Sequence, residues 1–243
     1  MKINQFQFGE MFSYNDCGLY IEKRPSPTVP LHDVTKTHVP GRSGDVIQDN
    51  GCFLNITKTY KVGCADIDAN IANVKKMLSQ KGYQILADSY DPDFFRYGAI
   101  LNAISFEEDL LNVGHASVQF DCEPYKYSLM GQFGVNVSTD SSEVTTITNP
   151  YEHSSLPRIY IAAADRLGGA VTIKVNDKSF IYTFPKGYNS VNIDSLSEAC
   201  YASGINFNSG YGSDTWPELA PGDNTVCVIG AKSAKVFPNW RTI

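Results

Sequence analysis

The sequence is short of charge. Asp, Glu, Lys and Arg make up 19% of its 243 residues, and the net charge of −6 is spread without a long run of either sign. A nucleic-acid surface needs a basic stripe, and none is present. Long apolar runs are missing too, so no stretch reads as a bilayer span. Residues 1–8 alternate polar and apolar side chains, unlike the continuous apolar core of a signal peptide. The expectation is synthesis and folding in the cytoplasm, with no membrane partner.

Metal and redox spacings are also absent. Cys17, Cys52, Cys64, Cys122, Cys200 and Cys227 form no CxxC pair, and no nearby histidine completes a zinc motif. Cys52 and Cys122 each continue an apolar alternation and read as small buried hydrophobes. All six are expected to be reduced thiols, with no metal and no cofactor.

Catalytic signatures are missing in the same way. His32, His38, His115 and His153 are dispersed, and neither HExxH nor GxSxG occurs. Gly41-Arg42-Ser43-Gly44 lacks the lysine of a phosphate loop and the third glycine of a dinucleotide fingerprint, so it reads as a tight turn. Asp88, Asp91 and Asp93 do not match a calcium loop and read as solvated loop charge. Glu107, Glu108 and Asp109 are consecutive, so a strand would point them to opposite faces, unlike the facing acids of a glycosidase. The expectation is that the chain is not an enzyme.

What the sequence does have is aromatics, 14 Tyr and 13 Phe, which suit a pleated, half-buried surface. Phe6 and Phe8 share one face of a first strand, and Leu19 to Glu22 suggests a second. Pro25, Pro27, Pro30 and Pro40 then crowd the stretch from Arg24 to Pro40. Proline at this density removes ladder donors, which predicts a long irregular arm of the interacting kind. After the turn cluster around Gly41, Arg42 and Gly44, the alternation of Cys52, Leu54, Ile56, Tyr60 and Val62 predicts one strand with a wet side.

One helix is expected from Asp66, with Ile67, Ile71, Val74 and Leu78 on its apolar face. Lys75, Lys76 and Lys81 lie near its end and Gly82 follows as a C-terminal cap. Strands are expected again at residues 83–88, 97–102 and 104–107. Another follows through Ala116, Val118, Phe120 and Cys122. The polar stretch 138–143 has the composition of a link or exposed turn, and the boundary is placed so that residues 1–135 and 136–243 form separate domains.

Beyond the boundary strand follows strand. Ile159 and Ile161 alternate, Val171, Ile173 and Val175 alternate, and Asn176-Asp177 supply a two-residue turn into Phe180, Tyr182 and Phe184. The fold class is therefore mainly β, two β-sandwich domains, the first with one flanking helix and a Pro-rich arm. Tyr211 and Trp216, in a turn-rich stretch, are the candidate exposed aromatics. They motivate a competing reading as a carbohydrate-binding module for attachment to a host cell surface.

Four stretches, in this order, resemble the phage distal tail protein family, a siphophage tail component. They are Val39-Pro40-Gly41-Arg42-Ser43-Gly44-Asp45 with Asn55 and Tyr60 beyond; the helix from Asp66 with Asp91-Pro92-Asp93-Phe94-Phe95-Arg96-Tyr97; Val118-Gln119-Phe120-Asp121-Cys122-Glu123-Pro124-Tyr125-Lys126; and Trp216-Pro217-Glu218-Leu219-Ala220-Pro221-Gly222-Asp223-Asn224 with Pro238-Asn239-Trp240-Arg241. The resemblance implies a virion tail-tip protein, present in the host cytoplasm during assembly. It implies an N-terminal domain forming a hexameric ring and an outward, galectin-like or carbohydrate-module-like C-terminal sandwich. The implied partners are further copies of the chain, the major tail tube protein, a tail-associated fibre or lysin protein, and a receptor-binding protein. An extended arm suits wrapping a neighbour, so Pro25, Pro27, Pro30, Pro40, Gly41, Arg42 and Gly44 are the candidate interface residues.

Overall fold

A computed structural model describes residues 3–108, 114–164 and 169–243; Asp109 lies outside them. The chain packs as two units, Met1–Lys126 with Ile243, and Tyr127–Thr242.

The first unit contains β1 (Phe6–Phe8), β2 (Met11–Phe12), β3 (Leu19–Lys23), β4 (His32–Thr37), β5 (Val46–Phe53) and β6 (Ile56–Cys64). Helix α1 (Ile67–Leu78) follows, then β7 (Gln84–Asp88), β8 (Phe94–Ala99), β9 (Glu107–Glu108) and β10 (Gly114–Cys122). One antiparallel sheet runs β2-β1-β7-β8-β10-β6-β3, with β9 beside β10. It doubles back until its ends meet: Leu19 donates to the Ser13 carbonyl at 2.7 Å, and Ile21 to that of Asn4 at 2.8 Å. The two layers of this sandwich are thus halves of one sheet. Phe6 stacks on Tyr60 at 4.9 Å and meets Phe120 edge-on at 5.5 Å, filling the space between them.

Helix α1 begins where the sequence places it. Asp66 accepts from the Ala69 amide at 3.1 Å, and Ile67, Val74 and Met77 are buried in the core. Its C-terminal cap is Ser79, whose amide donates to Lys75 at 2.9 Å. Gly82, expected in that role, lies further on with φ +69° and turns the chain into β7. The strand expected over 104–107 is reduced to β9.

The expected strand through Cys52 and Val62 breaks in two. Ile56, Tyr60 and Val62 are buried on β6, but Cys52 is exposed on β5 and Leu54 is 48% exposed. Period-two alternation continues through the break because residues 46–53 remain a strand. What changes is the partner: they pair with β4 outside the main sheet.

The second unit contains β11 (Lys126–Ser128), which starts on the last residue of the first unit, then β12 (Val135–Val137), β13 (Thr145–Asn149) and β14 (Arg158–Ala163). Next come β15 (Ala170–Val175), β16 (Lys178–Thr183), β17 (Ser190–Asp194), β18 (Ala199–Ala202) and β19 (Ile205–Asn206). The chain continues through β20 (Gly222–Ile229), β21 (Ala231–Phe237) and β22 (Arg241–Thr242). A sheet of order β12-β21-β14-β17-β18-β19 and another of order β13-β20-β15-β16 share one core, with Ile159, Ile161, Ile173, Phe180, Tyr182 and Val236 almost fully buried. Asn176, at φ 52°, makes the turn between β15 and β16.

Packing divides the chain earlier than residue 135. The Ser128 amide donates to the Trp240 carbonyl at 2.8 Å, and a Cβ on Gly131 would clash with the Trp240 backbone nitrogen. Residues 127–135 are therefore fastened to the end of the second sandwich. The polar stretch 138–143 is a turn inside that unit: Asp140 accepts from the Ser142 amide at 2.9 Å and Ser138 from the Asp140 amide at 3.2 Å.

Candidate assembly interface

Between β3 and β6 the chain leaves the first sandwich. Residues 24–31 carry no regular secondary structure, with Pro25 half-buried, Pro27 exposed and Pro30 buried. The irregular arm expected through to Pro40 instead becomes regular once the prolines stop. His32–Thr37 has no proline and pairs antiparallel with Val46–Phe53, Val34 opposite Asp49 and Thr37 opposite Val46. Between His32 and Val34 the register jumps, and Gly51 takes φ +76° in the surplus on the longer strand.

Pro40, Gly41, Arg42 and Gly44 sit together at the exposed tip of this ribbon, and Gly41 (φ +82°) and Gly44 (φ +84°) make the reversal. The Gly41-Gly44 motif is thus a turn feeding a strand.

The ribbon is poorly provided for in water. Leu31 is 73% exposed and Ile47 62%. A two-stranded ribbon is marginal alone, and among the described residues no third strand covers its outer edges. At its base Phe53 packs on His32 at 4.5 Å and edge-on to Tyr125 at 5.9 Å. His32 faces Asp49 and His38 faces Asp45, each at 3.3 Å, so these histidines brace the ribbon.

Beside the departing arm lies a groove of 460 Å³ lined by Arg24, Pro25, Pro27, Lys58, Arg96 and Lys126, among others. Asp88, expected as solvated loop charge, is buried beneath it. One carboxylate oxygen accepts from Lys58 Nζ at 2.7 Å and Tyr60 OH at 2.6 Å; the other accepts from the Tyr90 and Asp91 amides at 2.9 and 3.1 Å. Burial alone would raise this carboxyl, but the Lys58 charge and the hydrogen bonds outweigh it and hold it below its ordinary value. Burial and then the Asp88 charge push the Tyr60 phenol well above its ordinary value, which keeps it a donor.

Stretches far apart in sequence converge here: Arg96 donates to the carbonyls of Glu123 and Pro124, and Lys126 pairs with Asp91 at 2.9 Å. Outside the groove lining, Asn55 donates to Asp121 at 2.8 Å. Sequence reasoning grouped these residues only by likeness; the cross-sheet contacts between them carry no local signal.

Tyr211 and Trp216 lie in the second unit. Both are half-buried, stacked at 4.1 Å with ring planes 4° apart, and packed against the core. Tyr211 OH donates to the Thr215 carbonyl at 2.6 Å. Their faces serve one another. Among the described residues no group of three His, Cys, Asp or Glu side chains converges to hold a metal ion, and no helix is long and apolar enough to cross a membrane.

No protein-family model matches the chain, and no curated protein matches it significantly. Solved structures do. SPP1 Dit (gp 19.1), described as a paradigm of the hub adsorption apparatus in phages infecting Gram-positive hosts, superimposes with a TM-score of 0.72 at 14% identity, covering 97% of this chain and 98% of that one. The phage P2 baseplate in its activated conformation matches with a TM-score of 0.57 in its calcium form, at 8% identity, and in its strontium form, at 9%; each match covers 97% of both chains. The chain carries the fold of the phage distal tail and baseplate hub proteins through both units.

Proposed function

We propose that this chain is a non-enzymatic structural hub of a siphophage tail tip. Copies of the first unit form a ring, six to a turn, in which the ribbon of β4 and β5 lies against a neighbouring copy. The ring joins the tail tube protein to the tail-associated fibre or lysin protein, and the second unit offers a platform for receptor-binding protein. The observation that carries the reading is the ribbon, which exposes Leu31 and Ile47 and, among the described residues, has no third strand beside it, on a fold shared with hub proteins.

Contacts between identical subunits that close a ring join two different patches of one surface. The ribbon is one patch. The groove at its root is suited to be the other, because Arg24, Pro25 and Pro27 line it and Asp88 and Arg96 fix its walls. Attachment to host saccharide through Tyr211 and Trp216 is less favoured, since those rings are engaged with each other.

Negative-stain electron microscopy of the concentrated protein and of assembled tails tests the proposal. A ring with a central hole supports it, and tails whose tip contains no ring of this chain contradict it.

A further inference from the structure

Two lysines face each other where the arm leaves the first unit. Along β3 and β6 the partners run Leu19 with Cys64, Tyr20 with Gly63 and Ile21 with Val62, then skip a residue to Lys23 with Lys61. Glu22 is the surplus residue of a β-bulge. Unbroken register would set Glu22 opposite Lys61, a matched pair of charges; the bulge sets a second lysine there instead. It also redirects that lysine. Plain alternation from buried Leu19 and Ile21 would turn Lys23 toward the core, whereas it is exposed.

The nearby acids are engaged elsewhere. Glu22 Oε1 lies 2.6 Å from His115 Nδ1, reaching across β6 at Gly63, where a Cβ would lie 2.6 Å from the same oxygen. Asp121, opposite Thr57, accepts from Asn55 and Tyr83. Among the described residues neither Lys23 nor Lys61 forms an ion pair. Like charges directly opposite destabilise a sheet, so the arrangement favours an anion between the two ammonium groups.

There is room for one. β3 ends at Lys23, and Pro25 and Pro27 cannot carry the ladder further, so the arm parts from β6 and leaves a cavity of 280 Å³. Lys23 and Lys61 line it with the hydroxyl-bearing Ser26, Thr28, Thr57 and Thr59, and among the described residues no carboxylate does. Arg24 lines it too, but its guanidinium lies over the Tyr90 ring at 5.7 Å, so the two lysines are the principal charges.

Ammonium groups supply charge and hydroxyls supply directed donors, a combination that suits a tetrahedral oxyanion. These cations are gathered in one cavity on a chain of net charge −6, not spaced along a track as a nucleic-acid strand requires. We propose that the cavity between the arm root and β6 binds a small phosphate-type oxyanion through Lys23 and Lys61. The site does not depend on the hub reading and is tested on the isolated chain.

The test is a titration of the intact chain at constant ionic strength, followed by amide chemical shifts, with inorganic phosphate, chloride, hexaglutamate and tetrathymidylate as probes. Phosphate is expected to give saturable shifts at residues 23–28 and 57–61, and chloride none. Lys23→Gln and Lys61→Gln should each weaken phosphate binding by about ten-fold or more, while Lys81→Gln, remote from the cavity lining, binds as wild type does. Melting gives a second readout. Phosphate should raise the melting temperature of wild type more than that of either cavity variant, and without phosphate neither variant should melt below wild type. Absence of saturable shifts, equal shifts with chloride, unchanged binding in both cavity variants, or a variant that melts lower without phosphate overturns the proposal. Tighter binding of hexaglutamate or tetrathymidylate than of phosphate also overturns it, by assigning the cavity to an acidic protein face or to nucleic acid.

Discussion

Lys58 Nζ lies 2.7 Å from Asp88 Oδ2, an ion pair between β6 and β7, which are not neighbours in their sheet. It ties the two halves of the folded sheet together beside the root of the arm. Asp88 is 2% exposed in its side chain and Lys58 21%, so removing the carboxylate leaves a shielded ammonium and the Tyr60 hydroxyl without their acceptor. Asp88→Ala is expected to lower unfolding free energy by about 3 kcal/mol, read from urea denaturation.

The same carboxylate sets an acid dependence. Its folded value lies below the ordinary one, so its contribution is complete above the unfolded carboxyl's value of about 3.9 and disappears as pH falls through the lower folded value. Urea midpoints of wild type and Asp88→Asn should differ steadily from neutral pH down to about 5, then converge in stronger acid. A gap that widens on acidification contradicts the assignment.

The helix start is a local contribution, separable from assembly. Asp66→Ala removes the acceptor for the Ala69 amide and should cost about 1 kcal/mol, seen as a lower melting temperature with the oligomeric state unchanged.

Thiol accessibility reports on the ribbon. Cys52 is exposed while Cys17, Cys64, Cys122, Cys200 and Cys227 are buried, so one thiol should react with a bulky aromatic disulfide reagent in the native monomer. Partial desolvation first, and then the Asp33 carboxylate 3.7 Å from its sulfur, hold that thiol above its ordinary value, so labelling should accelerate with rising pH. If the ribbon lies against a neighbour in the assembled ring, labelling of Cys52 should slow on assembly.

The helix and the sandwich strands were legible because capping and periodicity are local. Asp66 precedes an apolar stripe of period 3.6, and Val171, Ile173 and Val175 alternate as buried strand residues do. The arm was legible as a departure from the body but not as a ribbon, because prolines mark where pairing is forbidden and say nothing of where it resumes. Cys52 and Leu54 alternate in phase with buried Ile56, so sequence could not tell a strand leaving the body from one inside it. Asp88 looked like loop charge because its partners lie 28 and 30 residues away.

The ribbon's apolar residues should matter to assembly and little to folding. Ile47→Asp and Leu31→Asp alter side chains that are mostly exposed in one copy, so melting of the isolated chain should shift by no more than about 0.5 kcal/mol equivalent. Under conditions where wild type forms rings, both variants should remain monomeric by light scattering.

The most direct test replaces the ribbon, residues 32–53, with a short glycine-serine link and images tail tips assembled with either protein. The account predicts a ring at the tip with the wild-type chain, and with the shortened chain a folded protein that makes no ring. Rings of unchanged subunit number from the shortened chain would show that the ribbon is not what joins one copy to the next.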